Sequence, residues 1–320
     1  MTSRAEAPPW WRNRRLLPWL VQGVVALVVA VVVAFLLSNL LINLTARGLL
    51  LSWSWLGNPA GFDISETLLP FDASLPYWRA LLAGLVNTLR VVLAGLVGAT
   101  VLGTLVGTAS FSSNGLLKRL ARIYVELIRN IPLLLQLLFW YFVVFLALPK
   151  GTEAIQLPGV VLAQSGLFLG SPELVNGVWK APLHFTVEFG ALLTGLVVYT
   201  SAFIAEVVRG GVASVPRGQW EAAGSLGFNP LQTLRRIVLP QALRVIVPGL
   251  NSQYISLAKN SSLAVACGYT DLYSVAETTL NQSGRAVEVV LILLGSYLVI
   301  DLLISALMNG LNGLVQLRER

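Results

Sequence analysis

The sequence predicts an all-α fold, a bundle of about six membrane-spanning helices, and three observations predict it. Hydrophobic residues fill 56% of the 320 positions and charged residues only 12%, about half the charged share of an ordinary soluble domain. The apolar residues come in blocks long enough to cross a bilayer, which takes about 20 residues as a helix. Basic residues gather at alternate ends of those blocks, as topology signals do. A chain this poor in polar groups cannot cover a soluble surface, so its natural unit is one membrane bundle.

The first block, Leu16 to Ala46, contains no Asp, Glu, Lys or Arg. It is about twice the apolar core of a signal peptide and is read as a retained spanning helix over 19–42, preceded by a cytoplasmic tail, 1–18. Further spans are expected near 82–108, 123–147, 185–208, 242–265 and 287–311, followed by a second cytoplasmic tail, 313–320. The fourth span has an uncharged core only between Glu188 and Glu206, and the fifth contains Lys259. With the N-terminus inside, Arg4, Arg12, Arg14, Arg15, Lys118, Arg119, Arg122, Arg209, Arg217, Arg235, Arg236, Arg244, Arg318 and Arg320 fall on the cytoplasmic side. Most acids outside the spans, among them Asp63, Glu66, Asp72 and Glu153, fall on the other. This imbalance places both termini in the cytoplasm and the loops 43–78 and 148–184 outside. Within the second loop, Leu157–Gly170 is too short to cross and is interrupted by Gly159 and Gly166, so it is expected to lie in the interface or cap the bundle.

Several function classes drop out. The formal charge of +7 sits beside apolar blocks and not among exposed aromatics, which argues against nucleic acid. One cysteine, Cys267, and one histidine, His184, leave no internal disulfide and no multi-cysteine metal site. No Gly-Lys dipeptide occurs, so the chain has no ATP site of the P-loop kind. No catalytic residue, metal or cofactor is expected on this chain.

The cytoplasmic loop 215–244 carries local signals. Pro216 starts a short helix, Gly227 ends it through the left-handed conformation glycine tolerates, and Asn229-Pro230 restarts a second helix as cap and first-turn residue. Pro240 is expected to limit that second helix. The spacing Glu221-Ala222-Ala223, three residues, Gly227, nine residues, Ile237, one residue, Leu239-Pro240 resembles the EAA signature of permeases in binding-protein-dependent ABC importers. Further stretches, Asn87-Thr88-Leu89-Arg90, Tyr124 to Pro132, Ser201 to Val212, Lys259 to Leu263 and Thr279 to Gly284, are similar to polar amino-acid permeases and, within them, to general L-amino acid transporters.

The resemblance covers the chain from about residue 79 onward and implies a type I ABC importer permease fold over 79–312, with a periplasmic insertion at 148–184 and a coupling loop at 209–241. The helix 19–42 and the long loops depart from the simplest members. The resemblance also implies partners: a cytoplasmic ATPase subunit that binds ATP and magnesium, a second permease subunit (heterodimer or homodimer), a periplasmic amino-acid-binding protein, and the bacterial inner membrane. Glu221, Ala222, Ala223, Gly227, Leu239 and Pro240 would form the ATPase-coupling site. Ala222 and Ala223 would permit close approach of the partner.

Charges inside apolar spans are costly and must pair, face a cavity or snorkel. Glu126 and Arg129, three residues apart, share a helix face and are placed to pair. Lys259, beside Asn260, Ser261 and Ser262, is the first candidate for a substrate pathway, with Glu126 and Arg129 as further members. No acid lies within a helical turn of Lys259, so its partner is expected on another helix, such as Glu126 or Glu206, or on a substrate carboxylate. An interhelical role is expected for Asp301. Two rival readings are a channel or ATP-independent transporter, which needs no docking loop, and a membrane-embedded enzyme, for which catalytic groups are missing.

Overall fold

The computed structural model describes residues 16–46 and 51–316. Most of the expected tail 1–18, the end of the tail 313–320, and Arg4, Arg12, Arg14, Arg15, Arg318 and Arg320 lie outside the described residues. The chain divides into two units, Met1–Trp53 and Ser54–Arg320. The first contains α1 (Leu16–Ala46). At 1.5 Å per residue it is about 46 Å long, and its apolar side chains point outward nearly all round, as hydrocarbon requires of a helix with no polar face.

The second unit is built on α2 (Tyr77–Ala109) and α5 (Val187–Ala213), which pack along one another. Gly95, Ala99, Gly103 and Gly107 recur every fourth residue on the buried face of α2. A side-chain carbon added at Gly103 would lie 2.6 Å from Ile204 Cβ and 2.8 Å from the Ser201 carbonyl of α5. Small residues at this spacing let helix backbones close in where lipid supplies no hydrophobic drive. Around this pair lie α3 (Gly115–Asn130), α4 (Leu133–Leu138), α8 (Leu239–Asn260), α9 (Leu272–Ser283) and α10 (Ala286–Val315). Among the described residues, α1, α2, α5 and α10 are long and apolar enough to cross a membrane.

Two expected spans take a different form. The segment 123–147 is not one helix. α3 and the helical run Leu133–Phe145 meet at 106°, because Ile131, ahead of Pro132, is extended at φ −104°, ψ 129°, the conformation a following proline favours. Tyr124 ties α3 to the middle of α5, its hydroxyl donating to the Val198 carbonyl at 2.9 Å. The segment 242–265 is α8 followed by the 3-10 turn Ser261–Cys267. α9, for which no span was expected, follows it, capped by Asp271 accepting from Ser274 N at 2.9 Å.

The insertion is β structure. β1 (Ile155–Leu157), β2 (Val160–Ala163), β3 (Gly166–Leu169) and β6 (Leu183–Phe185) form an antiparallel sheet in the order β1-β2-β3-β6. β4 (Glu173–Val175) and β5 (Val178–Lys180) form a hairpin. Val161 faces Phe168 across the sheet, both buried with Trp179 of the hairpin, whose indole N–H donates to the Gly151 carbonyl at 2.8 Å. Leu157–Gly170 is therefore the end of β1 followed by the β2–β3 hairpin. Its apolar residues alternate between a face toward Trp179 and a face toward the bundle.

Candidate functional site

The loop after α5 folds as its local signals require. α6 (Arg217–Ser225) begins after Pro216. It closes with Phe228 N donating to the Ala223 carbonyl at 3.1 Å and Gly227 N donating to the Gly224 carbonyl at 3.0 Å. This bond pair needs a left-handed residue at Gly227, whose φ is 78°. α7 (Pro230–Thr233) starts on a capping box: Asn229 Oδ1 accepts from Gln232 N at 2.9 Å, and Gln232 Oε1 accepts from Asn229 N at 3.0 Å. Nothing lies within 4 Å of an added carbon at Gly227, so Gly227→Val strains only the backbone, by roughly 1–2 kcal/mol. The expected outcome is normal membrane insertion with a less stable turn after α6, read by faster amide hydrogen exchange over 217–233.

Two site expectations are corrected here. Ala223 is fully buried, so it lies on the inner face of α6, the side that meets the turn 234–238 and Pro230–Thr233. Glu221 and Ala222 are exposed, beside the apolar Leu226 and Leu231, whose surfaces are 73% and 72% exposed. Pro240 does not end the second helix. Right-handed helical backbone continues from α7 through a π turn, Leu234–Val238, into α8. A proline ring clashes with the carbonyl four residues back in an α-helix, here that of Arg236, and the wider coil around Arg236 gives the ring room. Leu239, exposed, opens α8.

At the far end of α8, Lys259 Nζ lies 3.5 Å from Asp301 Oδ2 of α10, with the lysine side chain 62% exposed and the aspartate 18%. Its partner is thus neither Glu126 nor Glu206. Glu206 is instead held by Arg209, whose Nε donates to Oε2 at 3.0 Å. Ser261 is buried and spends its hydroxyl on the Ala258 carbonyl at 2.7 Å, and Ser262 bonds the Lys259 carbonyl at 2.8 Å. Lys259 is exposed, Asn260 half-buried and Ser261 buried.

Glu126 and Arg129 do not pair. The Arg129 guanidinium sits 5.1 Å from the centre of the Phe203 ring, a cation–π contact. Both residues line a cleft of about 650 Å³ among α2, α3 and the last turns of α5, together with Lys118, Arg122, Glu206 and Arg209. Lys259, Asn260, Ser261 and Ser262 do not line it. The expected pathway residues therefore fall in two places.

One polar centre escaped the sequence reading. Glu66, expected to lie in an outer loop, reaches the bundle and pairs with Arg90 of α2. Its second oxygen accepts from the Thr186 hydroxyl and from Thr186 N at 3.2 Å. Thr186 caps α5, so the carboxylate also meets the positive end of that helix. Asn87 Nδ2 donates to the carbonyls of Glu66, at 2.6 Å, and Thr270, at 2.8 Å. The Arg90 guanidinium lies 4.3 Å from the Phe189 ring centre and 4.9 Å from that of Phe185. This centre joins the segment before α2 to α2, α5 and the turn before α9.

Residues 99–316 match the family described as binding-protein-dependent transport system inner membrane component. The general L-amino acid transport system permease protein AapQ of Rhizobium johnstonii is 38% identical over 335 residues, covering 83% of this chain and 84% of that protein. The glutamate/glutamine/aspartate/asparagine transport system permease protein BztB of Rhodobacter capsulatus is 33% identical, covering 87% and 88%. A solved structure, the crystal structure of an amino acid ABC transporter with histidines, aligns with a TM-score of 0.57 at 27% identity, covering 74% of this chain and 94% of that one.

Proposed function

The chain belongs to the binding-protein-dependent transport system inner membrane component family, and from that premise we propose that it is the permease subunit of an ATP-driven amino-acid importer whose ATPase docks on α6. The observation that carries this reading is the α6–Gly227–α7 surface. Its backbone is fixed by a glycine C-cap and a capping box, and it presents Glu221, Ala222, Leu226 and Leu231 outward. Exposed leucines on a rigid, short helix pair are a binding surface in search of a partner.

The partner is a cytoplasmic ATPase holding ATP and magnesium, and the orientation follows: α6 and both termini face the cytoplasm of an inner-membrane protein. A second permease subunit completes the pathway. The paired names glutamate/aspartate import permease GltJ and GltK among the relatives favour a heterodimer. A periplasmic binding protein delivers the substrate, an L-amino acid of the polar or general class. Co-expression with a candidate ATPase tests the reading. Leu226→Asp with Leu231→Asp is expected to abolish co-purification while the permease still inserts; an unchanged complex would assign docking elsewhere, and a wild-type chain that carries substrate with no ATPase would favour a channel.

The pathway on this subunit runs past the exposed Lys259 and the half-buried Asn260, with a cation for a substrate carboxylate and an amide for its other polar groups. Glu126 and Arg129 line the cleft at the cytoplasmic end of the same route. Lys259→Met is expected to leave the amount of folded protein within a factor of about two, because a half-exposed ion pair contributes about 1 kcal/mol or less, while uptake falls and substrate preference shifts. Normal uptake by a well-folded variant would remove Lys259 from the route.

A further inference from the structure

Helical backbone leaves the docking surface at Pro230 and runs to Asn260, with Pro248 as a proline inside α8, so movement of α6 and α7 reaches Lys259 along one continuous helical path. Within that path sits the π turn Leu234–Val238, closed by Leu239 N donating to the Leu234 carbonyl. A π turn is one surplus residue in an α-helix, and such turns gather at functional places. Its inner side is clamped: Thr233 and Val238 are buried, while Leu234, Arg235 and Arg236 face outward. Its position is pinned at the far side by Pro240, whose ring does not tolerate α geometry at Arg236, and by Gln241, whose Nε2 donates to the Ile237 carbonyl at 2.9 Å.

We propose that this π turn is the joint through which ATPase movement is transmitted to the translocation route, with Pro240 and Gln241 as the positioning residues that hold its surplus residue next to the docking surface. The inference rests on the docking reading above. The physical basis is register. Moving the surplus residue past a position turns that position by about 100° and shifts it by about 1.5 Å relative to the rest of the helix. While the surplus stays pinned, movement of α7 turns the whole of α8, including the face that bears Lys259. Once unpinned, the π turn drifts and absorbs the movement locally, so ATP is hydrolysed without turning the helix.

The test measures ATP hydrolysed per amino acid imported by the whole complex in liposomes, beside co-purification of the ATPase. Pro240→Ala unpins the turn. Deleting Arg235 in a Pro240→Ala background removes the surplus residue and leaves both helical flanks in register. Gln241→Leu removes only the side-chain bond. Pro240→Ala and Gln241→Leu are expected to retain the ATPase yet raise the ATP cost per substrate, by about tenfold for Pro240→Ala, the size of a typical coupling free energy between linked sites, while the deletion, which leaves nothing to drift, is expected to bring the cost back toward that of the parent. Normal stoichiometry in Pro240→Ala, or a deletion variant as uncoupled as Pro240→Ala, would overturn the proposal. So would loss of assembly in both, together with normal stoichiometry in Gln241→Leu. Loss of ATPase binding by Leu226→Asp bears on docking alone, so the two readings fail separately.

Discussion

Glu66→Ala is expected to be among the most damaging single substitutions in this protein, costing about 3–5 kcal/mol by leaving a buried charge uncompensated. Glu66 and Arg90 are 11% and 13% exposed, so water does little to replace the lost carboxylate. The removal also strips the acceptor from Thr186 N and its hydroxyl and disturbs the cap of α5. The pair and its removal are distinguishable by a double variant. Replacing a buried ion pair with apolar residues of similar size is often neutral, so Glu66→Leu with Arg90→Met is expected to recover most of the loss. The measurement is the thermal midpoint of the purified complex in detergent. A Glu66→Ala protein as stable as the parent would mean that Arg90 finds water or another partner.

Gly103→Val is expected to be comparably severe, about 3 kcal/mol or more, at the top of the overpacking range. The added carbon meets Ile204 Cβ at 2.6 Å and the Ser201 carbonyl at 2.8 Å. The second of these is backbone and cannot swing aside, so α2 and α5 must part along their whole contact. Gly310→Val is the matched control, since nothing lies within 4 Å of that position. The yield of monodisperse protein should collapse for the first and hold for the second. Equal yields would show that the two helices can separate without loss.

What was legible in the sequence was local. The loop after α5 could be read because Pro216, Gly227, Asn229 and Pro230 act on their own backbone within one short stretch, and the spanning helices could be read because uncharged runs are a property of consecutive residues. The break in the third expected span was signalled by Pro132 and outweighed by the apolar residues on either side. The β insertion was signalled too: Asn176-Gly177, with φ of 53° and 79°, joins β4 to β5, and this dipeptide is the strongest short-range hairpin signal. Glu66 with Arg90 and Lys259 with Asp301 were not legible as pairs. Each charge was visible, but its partner is chosen by how helices pack, which no spacing along the chain specifies. For the same reason the burial of Ala223, a residue read as leaving room for a partner, was not legible.

The position of Glu66 in the chain has a consequence for biogenesis. Ribosomes deliver the chain from its N-terminus, so α2 reaches the membrane carrying Arg90 long before Thr186 and Thr270 exist. A lone arginine in an entering helix opposes insertion by roughly 2.5–3.5 kcal/mol at the bilayer centre. Glu66, only 24 residues ahead, is already made and can escort it as a neutral pair. The later contacts with α5 and the turn before α9 then close over a couple formed early, and a chain with Glu66 and Arg90 exchanged should insert α2 as readily as the parent, whereas one lacking Glu66 should stall there.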